Sequence, residues 1–117
     1  MPNNAGVNRV FLLGSVEREP RWEMIKGERT LCFSLKTIEE IKKGESTQEH
    51  FEFHNMKLPL EMVKNGIEIK PGDILYVQGK IQTRIIFENN VKLYRCEIQV
   101  TNIEHVNISE KHLYAVS

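Results

Sequence analysis

The stretch PLEMVKNGIEIKPGDILYVQGK, residues 59–80, decides the fold of this chain. It opens with a short helix signal, because Pro59 suits the first turn of a helix and Gly66 suits the position after its last turn. Residues 70–73 then place Pro before Gly, as a type II turn requires, and an apolar run begins at Ile74. A short helix over 59–65 therefore comes just before a new strand.

The first predicted strand lies upstream, over residues 8–16, and shows a period of two. Val10 and Leu12 share one face, while Phe11 and Leu13 point to the other. Because both faces are apolar, we expect this strand to be central and covered on both sides.

Two more strands are predicted before the helix, over residues 30–37 and 50–57. The first of them is half-buried with Lys36 pointing outward, and residues 22–25 are its candidate hairpin partner. The charged and polar residues 42–48 between the two strands are predicted to form an exposed loop tip.

A long strand pair follows the helix, over residues 74–87 and 92–106. Asn89 and Asn90 predict a tight hairpin between them, because Asn tolerates left-handed geometry. This order fits an all-β OB-fold, a closed five-stranded Greek-key barrel with one short helix between strands 3 and 4. An SH3-like barrel also supplies five strands, but it would not need a helix in that slot.

Length and composition favour one soluble globular domain. The chain has 117 residues, of which 40% are apolar, and we expect a domain over 1–106 with a short C-terminal extension over 107–117. No apolar run approaches the length of a membrane span and no secretion signal opens the chain, so we expect a cytoplasmic protein without membrane contact. Sixteen basic and sixteen acidic side chains cancel, which counts mildly against nucleic-acid binding.

No catalytic, metal or cofactor site is predicted, and we expect a protein that is not an enzyme. His50 and His54 would lie about 13 Å apart on a strand, too far to hold one ion. Glycine-rich phosphate motifs are missing. Cys32 and Cys96 have no motif spacing, so both are expected to be buried, reduced thiols.

A series of short matches, in order, resembles the bacterial single-stranded DNA-binding proteins from Val7 to about Val106. The matching residues are Asn8-Arg9-Val10, Leu12-Leu13-Gly14, Pro20, Gly27, Phe33-Ser34-Leu35, Thr37, His54, Gly72, Tyr76-Val77-Gln78-Gly79, Thr83-Arg84, Tyr94 and Glu97. No single match is specific, but their order and spacing favour the same OB-fold.

The resemblance implies sequence-independent binding and protection of single-stranded DNA in replication, recombination or repair. In that family bases stack on aromatic rings while Lys and Arg neutralise phosphates. By resemblance, Arg9 contacts a phosphate, Phe53 stands where a stacking Trp is usual, and Arg84 belongs to the basic strand of the last hairpin. Position and charge add the candidates Lys36, Lys57, Lys80, Lys92 and Arg95. The family also implies a homo-oligomer, a dimer or tetramer, whose interface would suit the apolar first strand.

The chain departs from the family at three expected aromatic positions. Ile41 and Ile86 stand where hairpin Trp residues are expected, and Pro59 replaces a Phe. Each lost stack removes roughly 1–3 kcal/mol per base. Trp22, beside Arg21, either compensates as a platform or caps the barrel end. Further aromatic candidates, each also suited to core packing, are Phe51, Phe87 and Tyr94.

An alternative function comes from the same departures. Family members usually continue into a linker with an acidic tip that recruits replication enzymes; if Ser117 ends the full protein, that recruitment is absent. The related primosomal replication protein N also has a lone OB domain with few aromatic residues. The alternative is therefore an OB module that acts mainly through contacts with replication or restart proteins.

Overall fold

The computed structural model describes residues 6–63 and 66–107. These residues form six strands and one short helix, which lies between the fourth and fifth strands. The elements are β1 (Val10–Val16), β2 (Arg21–Ile25), β3 (Glu28–Lys43), β4 (Ser46–Pro59), α1 (Leu60–Val63), β5 (Ile74–Glu88) and β6 (Val91–His105).

The strands close into a barrel. Their order is β1-β5-β6-β4-β3-β2, and an additional pairing of β1 with β3 closes the ring. Ser15 pairs with Lys36 and Val16 with Leu35 at that closure, while β4 and β6 run parallel. Five strands thus form the ring and β2 flanks it as the partner of β3. The predicted OB-fold, with its helix between the third and fourth barrel strands, is confirmed.

The core fills the barrel with alternate residues of its strands. Leu35, Met56, Leu58 and Leu75 are fully buried, and Val77 nearly so. Burying each such side chain contributes about 1.5–3 kcal/mol, so the alternating pattern read from the sequence is what holds the ring together.

Glycines allow close strand approach at two points of the ring. A Cβ on Gly14 would meet the carbonyl oxygen of Lys36, and one on Gly79 would meet that of Gln99. A register irregularity between Gln78 and Gly79 marks the second point. Both contacts lie where a long hairpin extends out of the barrel. The two glycines therefore allow the close strand approach at the base of each hairpin.

The β3–β4 hairpin is longer than the sequence predicted. The expected loop over 42–48 is wrong, because pairing continues through Lys42 with Thr47 and Lys43 with Ser46. Gly44, at φ 65°, allows the tight turn. A two-stranded ribbon satisfies its backbone by cross-strand hydrogen bonds even where its side chains are polar, which hydrophobic patterning cannot reveal.

The other predicted turns and the helix agree more closely. Asn89 and Asn90 both have positive φ in a tight hairpin, as predicted. The Asp73 N–H donates to the Lys70 carbonyl over 3.1 Å, and Gly72 has φ 89°, as a type II turn requires. The helix predicted over 59–65 begins one residue later, because Pro59 ends β4; Lys64 and Asn65 lie outside the described residues.

Two predictions about burial are wrong, that the first strand is covered on both faces and that Cys96 is buried. Phe11 and Leu13 are 57% and 53% exposed, because none of residues 6–63 and 66–107 covers the outer face of β1. Cys96 is exposed, since β6 has left the barrel there, whereas Cys32 is buried as predicted and burial raises the pKa of its thiol. The predicted extension lies outside the described residues beyond Asn107.

Candidate nucleic-acid interface

One outer surface of the barrel continues onto both long hairpins. Cross-strand partners in antiparallel pairs share a face, which places Arg21 beside Cys32 and Lys36 beside Phe53. We call this surface the groove face. Its members include Arg21, Cys32, Ser34, Lys36, Phe51, Phe53, Asn55, Lys57, Arg84, Arg95 and Glu97.

An open groove of about 580 Å³ runs over the groove face. Its walls include the charged connection from β1 to β2, over residues 17–21, and its floor includes Ser34, Phe53 and Asn55. Phe53 is 61% exposed, so its ring is presented to a ligand. The Asn55 amide is held by the Cys96 carbonyl over 3.4 Å.

A buried carboxylate lies at the centre of the groove face. Glu97 is only 2% exposed and accepts hydrogen bonds from Arg84 Nε and Nη2 at 3.0 and 2.9 Å. Lys57 Nζ lies 3.5 Å from the same carboxylate. Burial acts to raise the pKa of Glu97, but the hydrogen bonds and charges of Arg84 and Lys57 outweigh it and lower the pKa below its ordinary value.

Lys57 belongs to this ion cluster. It is 5% exposed and its Nζ lies 3.5 Å from the Glu97 carboxylate, while the phosphate contact expected for it stays a prediction. The sequence showed Glu97 only as a family match, and the contact joins two strands about forty positions apart. No local signal marked this pairing.

Arg84 keeps donors for a ligand despite its bond to Glu97. A guanidinium has five N–H donors, and Glu97 is reached through Nε and Nη2 alone. Its side chain is 23% exposed, and the bond to Glu97 raises its pKa, so it stays charged. Arg95 lies directly across from it. Two like charges therefore face each other at the base of the β5–β6 hairpin, an arrangement that favours an anion between them.

Two aromatic rings share the groove face on β4. Phe51 and Phe53 are two residues apart, on the same side of the strand, and are 48% and 61% exposed. Lys36 Nζ lies 5.6 Å from the centre of the Phe51 ring and 3.4 Å from the Glu17 carboxylate. A cation and two rings thus occupy the base of the β3–β4 hairpin.

Trp22 lies on the opposite side of β2 from Arg21. It pairs with Leu31, a core residue, while Arg21 pairs with Cys32 on the groove face. The Arg29 guanidinium sits 4.8 Å from the centre of its ring. Of the two roles left open by the sequence, the position of Trp22 favours the cap at the barrel end over the stacking platform.

Tyr94 and Lys92 lie on the reverse side of the β5–β6 hairpin. Tyr94 pairs with Ile85 and Lys92 with Phe87, in alternation with the pair of Arg84 and Arg95. Lys92 Nζ lies 5.4 Å from the centre of the Tyr94 ring. The hairpin therefore presents Arg84 and Arg95 on the groove face, and its aromatic rings with Lys92 on the reverse face.

Arg9 and Lys80 border a second, separate groove of about 350 Å³. The Asn8 side chain fixes the segment before β1 there, because its amide donates to the Ile81 carbonyl over 2.8 Å and accepts from the Ile81 N–H over 2.9 Å. The structure thus distributes the predicted site residues over the groove face, this second groove, the barrel end and the reverse face of the β5–β6 hairpin.

The three expected aromatic positions carry aliphatic side chains, and two of them lie on the groove face. Ile86 lies two residues beyond Arg84 and pairs with Leu93. Pro59 lines a third groove, of about 200 Å³, together with Arg84 and Glu97. Ile41 is 38% exposed near the tip of β3 and follows Glu40, so it lies on the reverse side of the β3–β4 hairpin. The β5–β6 hairpin consequently offers aliphatic and cationic contacts on this face.

Among residues 6–63 and 66–107, no group of three or more His, Cys, Asp or Glu side chains lies close enough together to hold a metal ion. In that same part of the chain, no helix has the length and apolar character needed to cross a membrane.

Comparison with known sequences gives a consistent result. The family model described as the single-strand binding protein family matches residues 7–106. The chain is 31% identical over 104 residues to a single-stranded DNA-binding protein of Bacteroides thetaiotaomicron. That alignment covers 84% of this chain and 65% of the relative, so the chain spans less than two thirds of the relative's length.

Solved structures show the same fold. A Plasmodium falciparum SSB in complex with single-stranded DNA superposes with a TM-score of 0.75 at 21% identity, covering 91% of this chain and all of the other. A small single-stranded DNA-binding protein from Streptomyces coelicolor gives a TM-score of 0.64 at 18% identity, covering 84% and 93%.

Proposed function

The chain belongs to the single-strand binding protein family, and from that premise we propose that it binds and protects single-stranded DNA without sequence preference. Its role is binding, without catalysis. Stacking on aromatic rings tolerates every base, because every base has a π-face. The proposed setting is DNA replication, recombination or repair in the cytoplasm.

The observation that carries this proposal is the exposed ring of Phe53 on the floor of a groove flanked by cations. Lys36 lies directly across from it, and Arg84 and Arg95 continue the groove face on the other hairpin. A formal net charge of zero is compatible with this local arrangement. We assign base stacking to Phe53 and phosphate contacts to Lys36, Arg84, Arg95 and Arg21.

The residues away from the groove face receive different proposed roles. Arg9 and Lys80 border the second groove and would contact a strand that continues around the barrel. Lys57 is assigned to the ion cluster with Glu97, and Trp22 to packing at the barrel end. Lys92 and Tyr94 would contact DNA only if the strand also wraps the reverse face of the hairpin.

A homo-oligomer, a dimer or tetramer, is part of the proposal. Phe11 and Leu13 expose large apolar side chains on β1, and in the described part of the chain the ladder of β1 with β3 involves only Ser15 and Val16. Among the described residues, the edge of β1 before Ser15 is therefore open to pairing with another chain. Burial of these side chains between copies would remove them from water.

The alternative of an OB module working mainly through replication or restart proteins is not favoured. The family match is to the single-strand binding proteins, and the groove face retains an exposed aromatic ring beside cations. Contacts with such proteins stay a prediction for a pull-down experiment.

Fluorescence anisotropy of labelled oligothymidine, titrated at low and at moderate salt, tests the proposed function. We expect binding that weakens as salt rises, by a slope of about −0.7 per phosphate neutralised, and little affinity for a duplex of the same length. Absence of binding at low salt would overturn the proposal and turn attention to protein partners.

A further inference from the structure

The groove-facing side of β4 carries an aromatic pair that the family resemblance did not assign as a unit. Phe51 and Phe53 point to the same side because they are two residues apart on a strand. Both are about half exposed or more, at 48% and 61%. Two such rings side by side on a strand have no packing partner in the core, so their exposure calls for a ligand or a partner.

The spacing of the two rings matches a stretched nucleic-acid strand. Two residues along a strand span about 6.7 Å, roughly twice the 3.4 Å that separates stacked nucleotides in one strand of a duplex. A single strand running along β4 with its bases unstacked from one another can therefore place neighbouring bases on neighbouring rings.

The charges around the rings suit the same ligand. Lys36 pairs directly with Phe53 and its Nζ lies 5.6 Å from the Phe51 ring centre, so it sits between the two platforms. Its ion pair with Glu17 has both side chains partly exposed, at 25% and 32%. Partly exposed pairs of this kind contribute little, and a phosphate can replace Glu17 there.

The aromatic stripe ends at a pair of like charges. Ile38 pairs with Phe51, and the next groove-facing pair outward is Glu40 with Glu49. Two carboxylates facing each other repel a phosphate backbone. The strand would therefore leave the hairpin at Phe51 and not follow it to the tip.

We propose that Phe51 is a second stacking platform, which works in tandem with Phe53 and takes the neighbouring base of a bound single strand. The inference rests on the proposed function. It supplies, on β4 itself, part of the aromatic surface that Ile86 and Pro59 do not provide on the groove face.

Oligothymidine affinity of four variants tests the inference. Phe51→Ala and Phe51→Leu, the latter keeping apolar bulk without a ring, should each weaken binding by about fivefold or more. Phe51→Tyr keeps the ring and should stay within about twofold of the wild type. Phe87→Ala is the matched control, because Phe87 is 71% exposed on the reverse face, and it should also stay within about twofold. Thermal melts confirm that all variants fold.

An abasic strand of equal length distinguishes stacking from other causes. Because it keeps the phosphates and lacks the bases, Phe51→Ala should bind it as the wild type does. Equal loss on the abasic strand, or an unchanged oligothymidine affinity for Phe51→Ala and Phe51→Leu, would overturn the inference and leave the proposed function standing. A wild type that binds no oligothymidine at all would overturn the proposed function itself.

Discussion

The two long hairpins have similar backbones but present different side chains on the groove face. Each has strands of 14 to 16 residues and a tight turn formed by residues with positive φ. On the groove face, the β3–β4 hairpin presents Phe51 and Phe53, whereas the β5–β6 hairpin presents Arg84 and Arg95. The aromatic rings of the second hairpin lie on its reverse side.

This difference separates the two physical contributions to binding. Stacking is insensitive to salt, while phosphate neutralisation weakens as salt rises. If one hairpin supplies mostly rings and the other mostly cations, the contributions can be removed one at a time.

Removing the Glu97 carboxylate, at the base of the β5–β6 hairpin, should lower the free energy of unfolding and is the largest effect expected. Glu97→Ala leaves Lys57 buried without its acidic partner, and breaking a buried pair in this way costs about 3–5 kcal/mol of unfolding free energy. Urea denaturation measures the loss. Glu52→Ala is the control, because its pair with His50 is about half exposed, and it should cost less than about 1 kcal/mol. Similar small losses for both variants would contradict the role given to Glu97.

Removing one contact from each hairpin should change the salt dependence differently. Arg95→Ala should flatten the slope of log affinity against log salt by about 0.7, the value for one phosphate on a single strand. Phe53→Ala should lower affinity by a similar factor at every salt concentration and keep the slope. Anisotropy titrations over a salt series give both quantities. A slope change as large for Phe53→Ala as for Arg95→Ala would remove the distinction between the hairpins.

Acid should weaken the fold through Glu97, and this is the smallest expected effect. The folded-state pKa of Glu97 lies below its ordinary value of 4.5, so its contribution to stability is present above that value and is lost as pH falls through the lower, folded-state pKa. Glu97→Gln cannot titrate at this position, so its stability should fall less steeply with acidification. Urea midpoints over a pH series compare the two proteins, and parallel curves would refute the assignment.

Patterning and turn chemistry were sufficient to predict most of the fold. Alternation located the barrel strands, and Asn89-Asn90 and residues 70–73 located turns, because these signals act between neighbours in sequence. The same method missed the paired segment over 42–48. There the backbone ladder continues without any apolar face, so no hydrophobic period marks it.

The candidate site was less accessible to sequence reasoning. Phe53 and Arg84 were identified through resemblance, but the pairing of Lys57 with Glu97 depends on the contact between β4 and β6, which only the closed barrel creates. The side on which Trp22 lies depends on the register of β2 with β3. The sequence positions of Lys and Arg residues therefore do not reveal which of them a phosphate can reach.

Photo-crosslinking of 5-iodouracil-substituted oligothymidine, with mass spectrometry of the linked peptides, tests most directly that DNA lies on the groove face. Crosslinks are expected at Phe53 and Phe51. Crosslinks confined to Tyr94, Phe87 or Trp22 would place the strand on the opposite surfaces and contradict it.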